Sequence, residues 1–221
     1  MPNYTMILGN KSYSSWSLRG WLIAKLAGID FAEEVIFLRK PDTRAKILRH
    51  SPAGMVPVLI EDGEAIWDSL AIGEHLAERY PQRKLWPADP AARALARCVV
   101  AEMHSGFRGL RMALPMDLRR RYPNHPLTPE VAADVARIQT IWRDCRDRFG
   151  DGGVDGSGGG FLFGAPTIAD AFYAPVVTRF RSFEVKLDDT AEAYCAAVMD
   201  WPAMQEWAAA AAEETEVIEF F

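Results

Sequence analysis

The segment from Val56 to Ile72 constrains this chain more than any other. It reads Val56-Pro57-Val58-Leu59-Ile60, an acidic turn at Glu61-Asp62-Gly63, then Glu64-Ala65-Ile66-Trp67, and finally Asp68-Ser69-Leu70-Ala71-Ile72. Val58, Leu59 and Ile60 form a short apolar run suited to a buried strand. Asp62-Gly63 is a two-residue hairpin signal. Glu64 to Trp67 returns as the partner strand. Asp68 and Ser69 fall where a helix leaves its first N–H groups unpaired, so a bound carboxylate finds donors there. Few folds need strand, turn, strand and capped helix in that order.

Pro57 narrows the reading. A proline opening a core strand removes one ladder donor. A cis Val56-Pro57 bond accounts for it by turning the backbone of Val56 outward. Val56 then offers its N–H and C=O to an extended peptide ligand, like one more strand. The purely structural alternative is an ordinary hairpin followed by a well-capped helix.

The rest of the first third fits around this segment. Residues 4–9 read as a strand, and Ser17 to Leu26 as a helix with Leu18, Trp21, Leu22 and Leu26 at helical spacing. Gly28 is a C-terminal stop. Phe31 to Leu38 alternates toward a second strand, and Thr43 to His50 is a short helix ended by Ser51-Pro52. The order βαβ, α, ββα is a thioredoxin-like arrangement. Tyr80 to Pro90 carries three prolines, at 81, 87 and 90, and reads as a linker. Helical patterns dominate beyond it. Ala91 to about Leu114 is expected as one long helix, Pro129 to about Phe149 as another, and Trp201-Pro202 to Ala212 as the last. Thr167-Ile168-Ala169-Asp170 has the spacing of a capping box. The domains expected are 1–80 and 91–221, joined by 81–90. Asp151 to Gly160 holds six glycines and reads as a flexible loop, without the Lys-Ser/Thr or GxGxxG context of a phosphate cradle. The tail from Glu213 to Phe221 mixes acids with apolar residues and either packs back on the core or frays.

Composition excludes several classes. The 221 residues, 49% hydrophobic, suffice for one large domain or two modest ones. The net charge of −5 is spread along the chain, which argues against a nucleic-acid partner. Cys98, Cys145 and Cys195 lie far apart, with neither a disulfide framework nor metal-ligand spacing, and fit a reducing cytoplasm. No signal peptide is legible at the N-terminus. No run approaches the roughly 20 apolar residues of a membrane span.

The stretch MVPVLIEDGEAIWDSLAIGEHLAERYP, residues 55–81, resembles the glutathione-binding half of the cytosolic glutathione transferases. The likeness is to serine-type, zeta- and theta-like bacterial members. It implies an α/β N-terminal thioredoxin-like domain (βαβαββα) and an all-α C-terminal domain, the glutathione transferase fold, over nearly the whole chain. It implies glutathione as co-substrate and no metal. Asp68 and Ser69 would hold the γ-glutamyl end, and Val56, presented by Pro57, would pair with the cysteinyl backbone. It also implies a homodimer with a detoxification role, and Thr167–Asp170 resembles the capping box of the family's buried C-terminal helix. One departure is Met55, which stands where many members carry Lys, Arg or Gln. Arg39, Lys40 and His50 are the remaining candidates for the glycyl carboxylate, and each reads equally as solvated surface.

In a thioredoxin-like domain the reactive group lies between the first strand and first helix. Here that segment, Asn10 to Arg19, has Ser12, Ser14, Ser15 and Ser17 and no cysteine. Thiol–disulfide chemistry is therefore set aside. A serine can instead donate a hydrogen bond to the sulfur of bound glutathione, aided by the helix N-terminus. A thiol at pKa about 8.5 is roughly 3% ionised at pH 7, and lowering it by about two units makes it roughly 75% ionised. The lower basicity costs about 8-fold in nucleophilicity, so the net gain is about threefold. Most of the rate must come from positioning the second substrate.

Which serine acts stays open between alignments. The segment resembles the zeta-class pattern Ser-Ser-Cys-Xaa-Trp-Arg-Val-Arg. Matching Arg19 to its last arginine puts Ser12 at the catalytic serine and Ser14 at the cysteine. The theta pattern selects Ser15. Ser14 and Ser15 lie nearer the helix start, and all are equally explicable as caps and turn residues. The second substrate is expected between the domains, near Met103, His104, Phe107 and Arg111 on one helix, with Arg179 and Arg181 favouring an anion. The purely structural alternative makes Met103 and Phe107 core. The reading is a glutathione transferase acting on a small electrophile. Its rivals are a glutathione-dependent isomerase or peroxidase on the same fold, or a non-catalytic glutathione- or ligand-binding relative.

Overall fold

A computed structural model of the protein describes residues 3–150 and 159–221. Most of the glycine-rich loop expected at Asp151–Gly160 thus lies, over 151–158, outside the described residues. The chain opens with β1 (Tyr4–Leu8), α1 (Ser15–Ala27), β2 (Phe31–Val35) and α2 (Thr43–Ile47). It continues with β3 (Val58–Glu61), β4 (Glu64–Ile66) and α3 (Ser69–Arg79). The strands lie in the order β2-β1-β3-β4. β1 runs parallel to β2 and antiparallel to β3, and β3 antiparallel to β4. This is the thioredoxin-like βαβαββα domain.

Local chemistry explains the elements. β1 is central and buries Met6, Ile7 and Leu8. β2 is an edge and exposes Glu33 and Glu34, which discourages further strand pairing. Asp62 and Gly63 take φ of 50° and 93°, the positive values a tight hairpin needs. The β1–β3 ladder begins at Ile7–Val58, so the missing N–H of Pro57 falls just outside it. The Val56-Pro57 bond is cis. α1 lies close against Pro57 because residue 20 is glycine: a Cβ there would sit 2.8 Å from Pro57 Cγ.

The remainder is helical: α4 (Pro90–Ser105), α5 (Arg108–Ala113), α6 (Pro129–Phe149), α7 (Ile168–Ser182), α8 (Asp189–Asp200) and α9 (Pro202–Ala212). α7 is buried along nearly its whole length and packs against both α1 and α4, joining the two parts of the chain. Its start is a complete capping box, Thr167 with Asp170. Trp142 of α6 anchors the helical core among Tyr173, Phe180 and Tyr194, at ring-centroid distances of 5.9, 5.5 and 4.7 Å.

The long helix expected over Ala91–Leu114 is two helices. Phe107 takes φ 55° and ψ 38°, which breaks the run and buries its ring. A Cβ on Gly106 would lie 2.7 Å from the Glu102 carbonyl oxygen, so the break needs glycine there. Asp134 then accepts from the N–H of Leu110 at 2.9 Å, satisfying a donor in the first turn of α5.

Candidate active site

A cavity of about 460 Å³ opens beside the β3 start. The β1–α1 connection supplies Ser14 and Trp16, the β2–α2 connection Leu38 and Thr43, and the chain before β3 supplies Met55, Val56 and Pro57. Trp67 and Asp68 close it at the start of α3. Among the described residues, neither the N–H nor the C=O of Val56 meets a hydrogen-bond partner. An extended ligand can therefore pair with that edge.

The start of α3 is built to receive polar groups. Asp68 is its N-cap, and its Oδ1 accepts from the N–H of Leu70 at 2.9 Å and of Ala71 at 3.4 Å. Its Oδ2 lies 3.1 Å from His104 Nε2, and the side chain is half exposed. Ser69 lies behind Asp68, outside the cavity lining and 0% exposed, yet among the described residues its hydroxyl meets no hydrogen-bond partner. A buried hydroxyl left unpaired is costly, and a polar ligand group would relieve it. Met55 is 70% exposed and offers only packing.

The serines occupy different places. Ser14 is the N-cap of α1 and lines the cavity. Its Oγ accepts from the N–H of Ser17 at 3.3 Å and donates to Ser17 Oγ at 2.8 Å, and Ser17 Oγ in turn accepts from the N–H of Gly9. Ser12 is buried away from the cavity, its hydroxyl donating to the carbonyl of Ala211 at 3.0 Å. Ser15 is the first residue of α1, half-buried and outside the cavity lining.

Between the sheet domain and the helices, Trp16 is surrounded by cations. The guanidinium of Arg19 lies 4.4 Å from its ring and that of Arg111 lies 5.4 Å away, with the His104 ring edge-on at 5.3 Å. Arg19 is buried, and among the described residues its Nε and Nη1 meet no hydrogen-bond partner. Burial, and after it Arg179 and Arg111, brings its pKa down to about 9. Burial and Arg111 do the same to Arg179, which donates to the carbonyls of Arg111 and Leu114. Both stay charged at neutral pH, so this junction carries concentrated positive charge.

Of the second-substrate candidates, His104 and Arg111 face Trp16, while Met103 and Phe107 are core. Arg181 is exposed. The structure does not bring Lys40 or His50 to the cavity. Lys40 pairs with Glu216 at 2.5 Å, and His50 lies 3.1 Å from Glu34. Sequence reasoning missed Trp16 and Trp67, although each is a large aromatic beside a polar turn, a position with little reason to be apolar unless something covers it.

The family model described as glutathione S-transferase, N-terminal domain, matches residues 13–79, and that described as glutathione S-transferase, C-terminal domain, matches 128–210. A maleylacetoacetate isomerase of Rhizobium meliloti is 30% identical over 186 residues, 79% of this chain and 81% of that protein. A probable maleylacetoacetate isomerase of Caenorhabditis elegans is 34% identical over 110 residues, 50% of this chain, so the alignment spans about half (51%) of that relative's length. A solved glutathione transferase homolog from Burkholderia GL BGR1, with bound glutathione, superposes with a TM-score of 0.71 at 22% identity, covering 96% of this chain and 100% of that one, a likeness of fold. Both halves of the chain, its sheet order and its helical part agree with these matches: the chain belongs to the glutathione S-transferase family.

Proposed function

We propose that the protein is a glutathione-dependent enzyme in which the thiolate of glutathione attacks an electrophilic carbon between the two domains, placed at 1–80 and 91–221. The observation that carries the reading is the buried hydroxyl of Ser69, without a partner among the described residues, beside the half-exposed carboxylate of Asp68 and the likewise unpartnered backbone of Val56. Asp68 would hold the α-ammonium of the γ-glutamyl group, Ser69 and the α3 N-terminus its carboxylate, and Val56 the cysteinyl amides. Ser14 would face the sulfur. Rotating its O–H toward the thiolate lets the Ser17 hydroxyl donate to Ser14 Oγ in exchange, so no group is stranded.

Two outcomes follow attack. A transferase keeps the adduct: the carbon–sulfur bond forms, the leaving group departs, and glutathione is consumed. An isomerase adds the thiolate to a conjugated double bond, lets the new single bond rotate, and expels the thiolate again, so glutathione is returned. The relatives that align over most of their length support the isomerase reading over group transfer. The arginines clustered at Trp16 support it too, because they suit an anionic substrate. The serine at position 14, where the zeta pattern has cysteine, argues the other way. Stoichiometry separates the two: with a conjugated cis-unsaturated carboxylic acid, isomerisation should proceed with glutathione undiminished. Turnover only of aryl or alkyl halides, with one glutathione consumed per product, would favour the transferase. No helix among the described residues is long and apolar enough to cross a membrane. Resemblance to the family supports placing the enzyme in the cytoplasm as a homodimer.

A further inference from the structure

Lys11 and Ser12 carry the chain from β1 into the turn that sets Ser14. All four backbone polar groups of these two residues are held by the C-terminal half of the chain. Glu214 Oε1 accepts from the N–H of Lys11 at 2.5 Å, and Oε2 from the N–H of Ser12 at 2.9 Å. Trp207 Nε1 donates to the carbonyl of Lys11 at 3.0 Å, and the N–H of Leu118 to that of Ser12 at 3.2 Å. The turn then closes as Tyr13 and Ser14 donate to the carbonyl of Asn10, at 3.2 and 2.8 Å. One carboxylate bridging two successive N–H groups fixes both peptide planes, and bonds to an ionised acceptor are about twice as strong as neutral ones.

Glu214 has a fixed place from which to do this. The segment after α9 runs back over the protein: Glu216 pairs with Lys40, Ile218 is buried, and the ring of Phe220 meets that of Tyr13 at 5.7 Å. These contacts gather at the two connections, β1–α1 and β2–α2, that form walls of the cavity.

We propose that Glu214 is a positioning residue for Ser14: its carboxylate sets the turn from which the Ser14 hydroxyl meets the sulfur. This rests on the glutathione reading above. Positioning and simple charge have opposite signs. A carboxylate near a forming thiolate disfavours it, so removing the charge alone would lower the pKa of the bound thiol. Loosening Ser14 raises it. The other charged or titratable groups at this end of α1, namely Asp68, His104, Arg19 and Arg111, make their contacts elsewhere, and the Lys11 side chain pairs with Glu33.

The test is the pKa of bound glutathione, read from thiolate ultraviolet absorbance against pH, in wild type, Glu214→Gln and Glu216→Gln. Glu214→Gln is isosteric and loses one of two acceptors. Its bound thiol should titrate about one unit higher, a tenfold change in ionisation constant. Glutathione affinity should change by less than this, because the Asp68–Ser69 end is unaltered. Glu216→Gln removes a charge from the same segment but keeps an acceptor for Lys40 and leaves both N–H bonds to Glu214 in place, so its bound thiol should titrate closer to wild type than that of Glu214→Gln. An unchanged or lowered pKa in Glu214→Gln overturns the proposal. Glu214→Ala should show a larger rise, and if it does not fold the Gln variant decides alone. No thiolate signal from wild type at saturating glutathione would overturn the glutathione reading, and this proposal with it.

Discussion

Asp170→Ala should destabilise the protein by about 3–5 kcal/mol, the cost of breaking a buried charged network. Asp170 is wholly buried, and its two oxygens satisfy four donors: the N–H of Leu162 at 3.1 Å, the N–H and hydroxyl of Thr167 at 2.8 and 3.1 Å, and the hydroxyl of Tyr194 at 3.2 Å. Alanine strands all four in a core where water cannot replace it. The damage spreads because α7 joins α1 to α4, so its first turn supports both domains. Urea unfolding of wild type and variant would measure the loss; a difference under about 1 kcal/mol would mean the network is dispensable. The site also carries a pH signature. Burial, opposed by those donors, pushes the Asp170 carboxyl up to about 6. Its folded value thus lies above the unfolded one, so its contribution is full below about pH 4 and is lost as pH rises through about 6, at most about 3 kcal/mol. Asp170→Asn cannot titrate, so the stability gap between wild type and that variant should be widest in acid and narrow toward neutrality. A gap that widens with rising pH would contradict the assignment.

Ser14→Ala should raise the pKa of bound glutathione from about 6.5 toward the free value of about 8.5, at most a hundredfold change in ionisation constant, because the α1 N-terminus stays in place. Ser14 is the one serine of the three candidates that lines the cavity, and it sits at the positive end of α1. At most, the thiolate fraction at pH 7 would drop from roughly 75% to roughly 3%, and the rate on a good electrophile would then fall only about threefold through ionisation, because the more basic thiolate attacks faster. Ser12→Ala should instead cost about 1 kcal/mol of stability through its lost bond to Ala211, with the thiol pKa unmoved. Ser15→Ala should move neither. Thiolate absorbance titrations on the three variants rank them; a pKa shift in Ser15→Ala without one in Ser14→Ala would reassign the role.

Much of the thioredoxin-like half was legible because its signals are local. Asp62-Gly63 fixes the hairpin, Asp68 caps α3, and Gly28 ends α1 in the left-handed conformation. Thr167 and Asp170 mark the α7 start in four residues. The misses are of another kind. The break at Phe107 is fixed by where its ring is buried and by Asp134 from α6, neither of which periodicity contains. α8 has no counterpart among the expected helices, although Asp188 caps it in the ordinary way. Lys40 and His50 read as available to a ligand because Glu216 is 176 positions away and Glu34 sits on β2, on the far side of α2 in the sequence. The approach of Gly20 to Pro57 and the grip of Glu214 on Lys11 and Ser12 are likewise long-range, and no window of sequence holds both partners.

The central claim is that glutathione binds at the start of α3, and calorimetric titration of glutathione into wild type and Ser69→Ala tests it most directly. Wild type should bind, and the variant should bind about 1–3 kcal/mol more weakly, about 5- to 150-fold, because the ligand carboxylate loses a buried donor. Equal affinity in the two proteins, or no binding to wild type, would contradict it.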